Sequence, residues 1–224
     1  MLFDFHSTLV DQGDGSSWVQ LAWEHAGRSG VPADVLGAEK AQQLAAWADR
    51  IWERARELDP TSRRDLDPGS HREVYDLLVK DLPDVDTDLA RSLYATMLET
   101  WIPYEDTVPV LRALHERGIR TALVSNVGID VREVLDRAGL TDLLDAVVLS
   151  YEAGAVKPDT TIFTQALDLI GVRPERALMV GDSWRDDAGA AQLGIRTLLL
   201  PRTSGPTHGL DMVLRLIGDD VPRA

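Results

Sequence analysis

The sequence predicts an α/β protein: a parallel sheet flanked by helices, carrying an inserted all-helical domain. Three observations predict it. The chain opens on a short apolar run, Leu2-Phe3 and Phe5, interrupted by one acid, Asp4, and such a run fits a buried parallel strand. Residues 16–101 show apolar residues at helical spacing and no convincing strand. Beyond Pro103, short apolar runs alternate with helical patterns, as right-handed β-α-β crossovers in one sheet require.

A lone carboxylate is costly at the centre of a buried strand. Asp4 is therefore placed at the carboxyl end of the opening strand, where open α/β sheets hold their ligand crevice. His6, Ser7 and Thr8 form a polar turn beside it. Taken alone, the same run also reads as a surface strand with a stray acid. Trp18, Leu21, Ala22 and Trp23 begin a helix after a cap at Ser16 or Ser17. Val35 to Leu58 reads as one long helix, with Leu44, Trp47, Ile51 and Trp52 on a single stripe. Asp59-Pro60 and Asp67-Pro68-Gly69 are breakers. Val74, Leu77 and Leu78 mark a third helix, and Leu89, Leu93, Met97 and Trp101 a fourth. Five of the six tryptophans lie in this segment, which reads as the core of a small bundle rather than as a substrate surface.

After Pro103 the spacing predicts a helix over 108–117 closed by Gly118, then a strand over 119–124. A helix around 131–138 and a strand over 146–149 follow. Pro158 opens a helix through Ile170, ahead of a strand over 177–180. A helix over 186–193, a strand over 195–200, a loop over 201–209 and a terminal helix over 210–217 complete the chain. The opening strand joins this Rossmann-like sheet. Residues 1–12 and 104–224 are thus expected to form the core domain, with 13–103 as the helical insertion. The first strand starts at Met1 with almost no lead-in, which places the expected true N-terminus upstream.

Composition narrows the function. The net charge is -14 over 224 residues, with Lys and Arg scattered rather than clustered, which argues against nucleic acid or an anionic membrane as partner. An anionic substrate must then be held by local positive groups or a metal. There is no cysteine, so neither disulfides nor thiol chemistry enter. No signal peptide or bilayer-length apolar span is seen, and the expectation is a cytoplasmic protein, monomer or homodimer.

The predicted strands end on chemistry. Asp4 follows the first, Ser125-Asn126 the second, and Lys157 comes shortly after the third. Gly181-Asp182-Ser183 follows the fourth, with Asp186 and Asp187 just beyond. Each has a bland account: a turn, a solvated charge, a helix cap. Four coincidences at four consecutive strand ends weigh against the bland account.

With these residues in place, the sequence resembles the haloacid dehalogenase-like hydrolase superfamily, a group dominated by phosphatases. Its first motif, Asp-x-Asp-x-Thr, reads here Asp4-Phe5-His6-Ser7-Thr8. The second is a Ser or Thr at the end of the next core strand, here Ser125. The third is a Lys, here Lys157 before Pro158. The fourth is Gly-Asp with a further acid, here Gly181-Asp182 and Asp187. The resemblance covers residues 1–12 and 104–217 and makes the insertion the family's helical cap. Such motifs specify fold far better than substrate.

The resemblance implies a phosphohydrolase acting on a small phosphorylated metabolite, with Asp4 as nucleophile forming an aspartyl-phosphate. A carboxylate approaching a phosphate dianion needs a cation between them, and oxygen ligands suit Mg²⁺. The matching ligands are Asp4, the backbone carbonyl of His6, Asp182, and Asp187, with Asp186 the second choice. Lys157 would neutralise Asp4 and the phosphoryl oxygens, while Ser125 and the Asn126 amide would donate hydrogen bonds to them. His6 departs from the pattern, standing where phosphatases carry their acid–base aspartate. An imidazole titrates near neutral pH and fits that task; equally, it fits a role in the turn alone. Two rivals share the scaffold: a 2-haloacid dehalogenase, with Asp4 attacking carbon and no metal, and a catalytically impaired binding protein.

Overall fold

In the computed structural model, which describes residues 1–80, 82–203 and 205–218, the opening apolar run becomes strand β1, Leu2–Phe3, and Asp4 is the first residue beyond it. Ser204 of the expected loop and residues 219–224 of the expected core domain lie outside the described residues. A second short strand, β2, spans Val10–Asp11. The chain divides into two compact units, Met1–Asp11 with Ile102–Ala224, and Gln12–Trp101.

The unit Gln12–Trp101 is helical. Helix α1, Gly15–His25, is capped by Asp14, whose carboxylate accepts from the Ser17 N–H at 2.9 Å. The cap is thus neither Ser16 nor Ser17; both serines fall in the first turn, and Asp14 is the residue placed to reach the third N–H. The long helix expected over Val35–Leu58 is three: α2, Pro32–Leu36, α3, Ala38–Asp49, and α4, Ile51–Leu58. Gly37 at φ 91° separates the first two, and Arg50 at φ -111° and ψ 11° the last two. The apolar stripe crosses the breaks, so Leu44, Trp47 and Ile51 remain buried. Gly15 is required where α1 meets α3, because an added Cβ would stand 2.2 Å from the Ala45 carbonyl oxygen.

Helix α5, Pro68–Val79, buries His71, Val74, Tyr75 and Val79 and leaves Leu77 exposed, contrary to expectation, since Leu77 falls off that face. Helix α6, Thr87–Thr96, completes the unit together with a 3₁₀ turn over Met97–Thr100. Trp18, Trp23, Trp47 and Trp101 are buried. The Trp18 ring stacks 6.3 Å from Trp47, and its indole N–H donates to the Leu93 carbonyl at 3.0 Å. Most of the indoles are core material.

Strand β3, Ile102–Pro103, returns to the first unit and pairs antiparallel with β2, Val10 opposite Pro103. Alternation then begins: α7, Thr107–Glu116; β4, Ala122–Ser125; α8, Arg132–Arg137; β5, Ala146–Leu149. Next come a single turn α9, Ser150–Ala153, and α10, Thr160–Ile170. Helix α10 starts after an Asp159 cap rather than at Pro158. Strand β6, Leu178–Gly181, leads to a 3₁₀ segment over Asp187–Leu193 where an α-helix is expected. Strand β7, Arg196–Leu199, and helix α11, Asp211–Leu216, close the described chain.

The five-stranded sheet runs β5-β4-β1-β6-β7, and each pair is parallel. Register places Leu2 beside Ala122 and Met179. These three share a face with Val124 and pack with Ile162, Phe163 and Ala166 of α10. One residue on, Phe3, Leu123 and Val180 point to the opposite face and are also fully buried. Burying a side chain of this size is worth about 1.5–3 kcal/mol, so a two-residue central strand is anchored from both sides. Among the described residues, no helix is long and apolar enough to cross a membrane.

Candidate active site

Asp4 is fixed by the sheet: its N–H donates to the Val180 carbonyl at 2.9 Å, just where β1 ends. Its buried carboxylate uses both oxygens. Lys157 Nζ donates to Oδ1 at 2.5 Å, and Thr8 Oγ1 to Oδ2 at 2.9 Å. Thr8 reaches back because the chain folds tightly over residues 5–10. The N–H groups of Thr8, Leu9 and Val10 all donate to the Phe5 carbonyl, at 3.2, 2.8 and 3.1 Å, and the Ser7 N–H donates to Val10 O at 2.7 Å. Within this turn Ser7 adopts φ 63°, a left-handed conformation that costs a non-glycine residue on the order of 1 kcal/mol and recurs at functional sites. His6 lies on the same turn with Nδ1 3.2 Å from Ser7 Oγ.

Lys157 bridges two acids, donating also to Asp187 Oδ1 at 2.7 Å. Its backbone is held by Asn126, whose Oδ1 accepts the Lys157 N–H at 2.7 Å and whose Nδ2 donates to the Lys157 carbonyl at 3.0 Å. Both ends of the Asn126 carboxamide are therefore engaged with the lysine loop. Ser125 is buried at the end of β4. Asp187 is fully buried; its Oδ2 accepts the Ser183 N–H at 2.9 Å. Gly181 makes room for it: a Cβ there would stand 2.1 Å from Asp187 Oδ2. Asp182 pairs with Arg202, Nε to Oδ2. Asp186 instead accepts from Ser183 Oγ at 2.7 Å.

Oxygens of Asp4, Asp182 and Asp187 lie within 4.8 Å of one another. Three carboxylates at that spacing suit a hard divalent cation that keeps some of its water. Asp186 is not in this group, so of the two adjoining acids it is Asp187 that stands with Asp4 and Asp182. Electrostatics agree. Burial pushes the Asp4, Asp182 and Asp187 carboxyls upward, and neighbouring carboxylates add to the rise; Lys157 opposes it for all three, and Arg202 for Asp182. Burial alone would lower Lys157, but Asp187 and Asp4 overcome it and keep the ammonium charged. The site is an acidic cluster with a captive cation.

Thus Asp4, Lys157, Asp182 and Asp187 converge, Ser125 and Asn126 adjoin through the strand ends, and His6 sits on the turn. Sequence reasoning placed Thr8 in the turn and the first motif but gave no role to its side chain, nor to those of Ser183 and Arg202. Thr8 had a signal, four residues beyond a strand-end acid in a tight turn; Arg202, in a loop twenty residues from its partner, had none.

Comparison with known proteins is consistent with this geometry. A family model described as haloacid dehalogenase-like hydrolase matches residues 1–194. The chain is 36% identical over 125 residues to the haloacid dehalogenase-like hydrolase domain-containing protein 3 of Bos taurus, covering 55% of this chain and 47% of that protein. It is 38% identical over 101 residues to the glyceraldehyde 3-phosphate phosphatase of Methanothermobacter thermautotrophicus, covering 44% of each. The chain spans about half the length of these curated relatives. The solved L-2-haloacid dehalogenase of Xanthobacter autotrophicus superposes with a TM-score of 0.61 at 27% identity, over 99% of this chain and 83% of that one.

Proposed function

Because the chain belongs to the haloacid dehalogenase-like hydrolase family, we propose that it is a Mg²⁺-dependent phosphohydrolase that cleaves a small phosphorylated metabolite through an aspartyl-phosphate on Asp4. One observation carries the reading. A buried strand-end carboxylate is held by Lys157 at 2.5 Å and stands within 4.8 Å of two further acids. A dehalogenase expels halide without a metal and needs no cation site, whereas an anionic substrate cannot approach three carboxylates without a cation.

In this reading a carboxylate oxygen of Asp4 attacks phosphorus and the bond to the leaving oxygen breaks. The departing oxygen takes a proton from His6, which acts as the imidazolium and is left as the neutral imidazole. Water then attacks phosphorus, His6 takes the proton, and the bond to Asp4 breaks to restore the free carboxylate. Lys157 holds Asp4 in its attacking position and offsets charge on the phosphoryl oxygens, towards which Ser125 donates its hydroxyl. Asn126 acts one step back, fixing the Lys157 backbone. Asp4, the His6 carbonyl, Asp182 and Asp187 would hold Mg²⁺, which neutralises the phosphate when bound. The helical unit is the family's cap in this account.

A panel of metabolite phosphates, assayed with Mg²⁺ on the wild type and on Asp4→Asn, tests the reading. Phosphate release that EDTA and Asp4→Asn each abolish is expected. The match to a solved haloacid dehalogenase favours a second reading, and metal-independent halide release from 2-haloacids would establish it instead.

A further inference from the structure

Two cations serve three carboxylates at the site, and they are held very differently. Lys157 is 2% exposed and donates to Asp4 and Asp187 at once, with Asn126 clamping its backbone. It cannot withdraw without stranding two buried charges. Arg202 donates through Nε to Asp182 alone among the three acids, and its side chain is 55% exposed against 5% for its partner. A long side chain that already borders solvent can release its head group at small cost.

The chain is tied down two residues before Arg202, where the Leu200 N–H donates to the Gly181 carbonyl at 2.9 Å, and again from Pro206 onward. The Asp106 carboxylate accepts the N–H groups of His208, Gly209 and Leu210 at 3.0, 2.7 and 2.7 Å, and the Glu105 N–H donates to Pro206 O at 2.8 Å. Release of Asp182 is therefore a side-chain rotation and needs no loop opening. Charge balance sets the direction. Three carboxylates with Lys157 and Arg202 leave one net negative charge; a divalent cation would leave one net positive charge if both stayed. With Arg202 gone the cluster is neutral.

We propose that Arg202 is a positioning residue that competes with the divalent cation for Asp182: it holds the carboxylate while no metal is bound and gives it up when metal arrives. The proposal rests on the metal reading above and goes beyond it by making metal affinity depend on a residue that is not a ligand. Its role is to keep Asp182 aimed into the site before metal binds, at the expense of metal affinity.

Mg²⁺ titration calorimetry without substrate tests this on wild type, Arg202→Ala, Arg202→Gln and Asp182→Asn. Removing the competing pair is expected to tighten Mg²⁺ binding about two- to fivefold in both Arg202 variants, as loss of a part-exposed charged contact would. Asp182→Asn should weaken it. Equal or weaker binding in the Arg202 variants would overturn the proposal while leaving the metal site intact. Absence of Mg²⁺ binding in the wild type, by contrast, would remove the metal reading itself. A Mg²⁺-bound crystal structure supplies a second readout: Arg202 is expected off Asp182, and a retained pair contradicts competition.

Discussion

Replacing Lys157 by Met removes the one cation that two buried carboxylates share while keeping most of the side-chain volume. Asp4 and Asp187 would then face each other uncompensated, with 10% and 0% of their side chains exposed. Breaking a buried pair from one side typically costs about 3–5 kcal/mol. Because two acids lose the same partner, we expect about 4 kcal/mol at pH 8. Proton uptake limits the loss. Burial and mutual repulsion already raise these carboxyls, and without Lys157 their folded pKa values rise further above the unfolded ones. A raised carboxyl pKa means the native state binds more protons than the unfolded state, so stability falls as pH rises between the two values. The deficit of Lys157→Met against wild type should therefore shrink to about half by pH 5. Urea unfolding of both proteins from pH 5 to 8 measures it. Adding Asp187→Asn to the variant should return about 1 kcal/mol or more, since the pair is in direct contact. A deficit below about 1 kcal/mol at pH 8, or one that widens towards pH 5, would refute this view of Lys157.

Gly181→Ala should displace Asp187, whose Oδ2 lies 2.1 Å from the new Cβ position; Mg²⁺ affinity is expected to fall at least about tenfold, for an overpacking cost of about 1–3 kcal/mol, read by calorimetry and thermal melting. In the helical unit, burial and the nearby Arg64 lower the His71 pKa to about 4. Its unfolded value is near 6.5, so the native state resists protonation, and stability present above pH 6.5 is lost as pH falls towards 4. About 2 kcal/mol of the decline between pH 7.5 and 5 should disappear in His71→Gln, followed by urea titration. At position 6, His6→Asp should raise turnover of alkyl phosphates over that of the wild type. No gain there, joined to a large loss in His6→Ala, would show the imidazole to be a competent acid–base already.

What the chain discloses before folding is the chemistry of its strand ends. Asp4 is legible because an acid inside an apolar run has few stable placements, and Asp182 because an acid follows Leu178-Met179-Val180 at once. Alternation after Pro103 fixes the parallel sheet for a different reason: period and length rather than individual residues carry it. Breaks are harder. Gly37 and Arg50 cut the expected helix over Val35–Leu58 into three while the apolar stripe runs on, so periodicity alone hides them. Strands β2 and β3, two residues each, are too short to show any period. Choosing between Asp186 and Asp187 needed the helical register at one residue's precision, which only the close approach over Gly181 supplies. Arg202 is a tertiary meeting, set by the loop that Asp106 holds, and no local pattern announces it.

The central claim is a covalent phosphoenzyme on Asp4. Rapid quenching during turnover, borohydride reduction of any acyl phosphate and peptide mapping test it most directly. Homoserine at position 4, formed only with substrate present, is the expected result. An active enzyme that yields none there, or yields it at another carboxylate, would contradict the account.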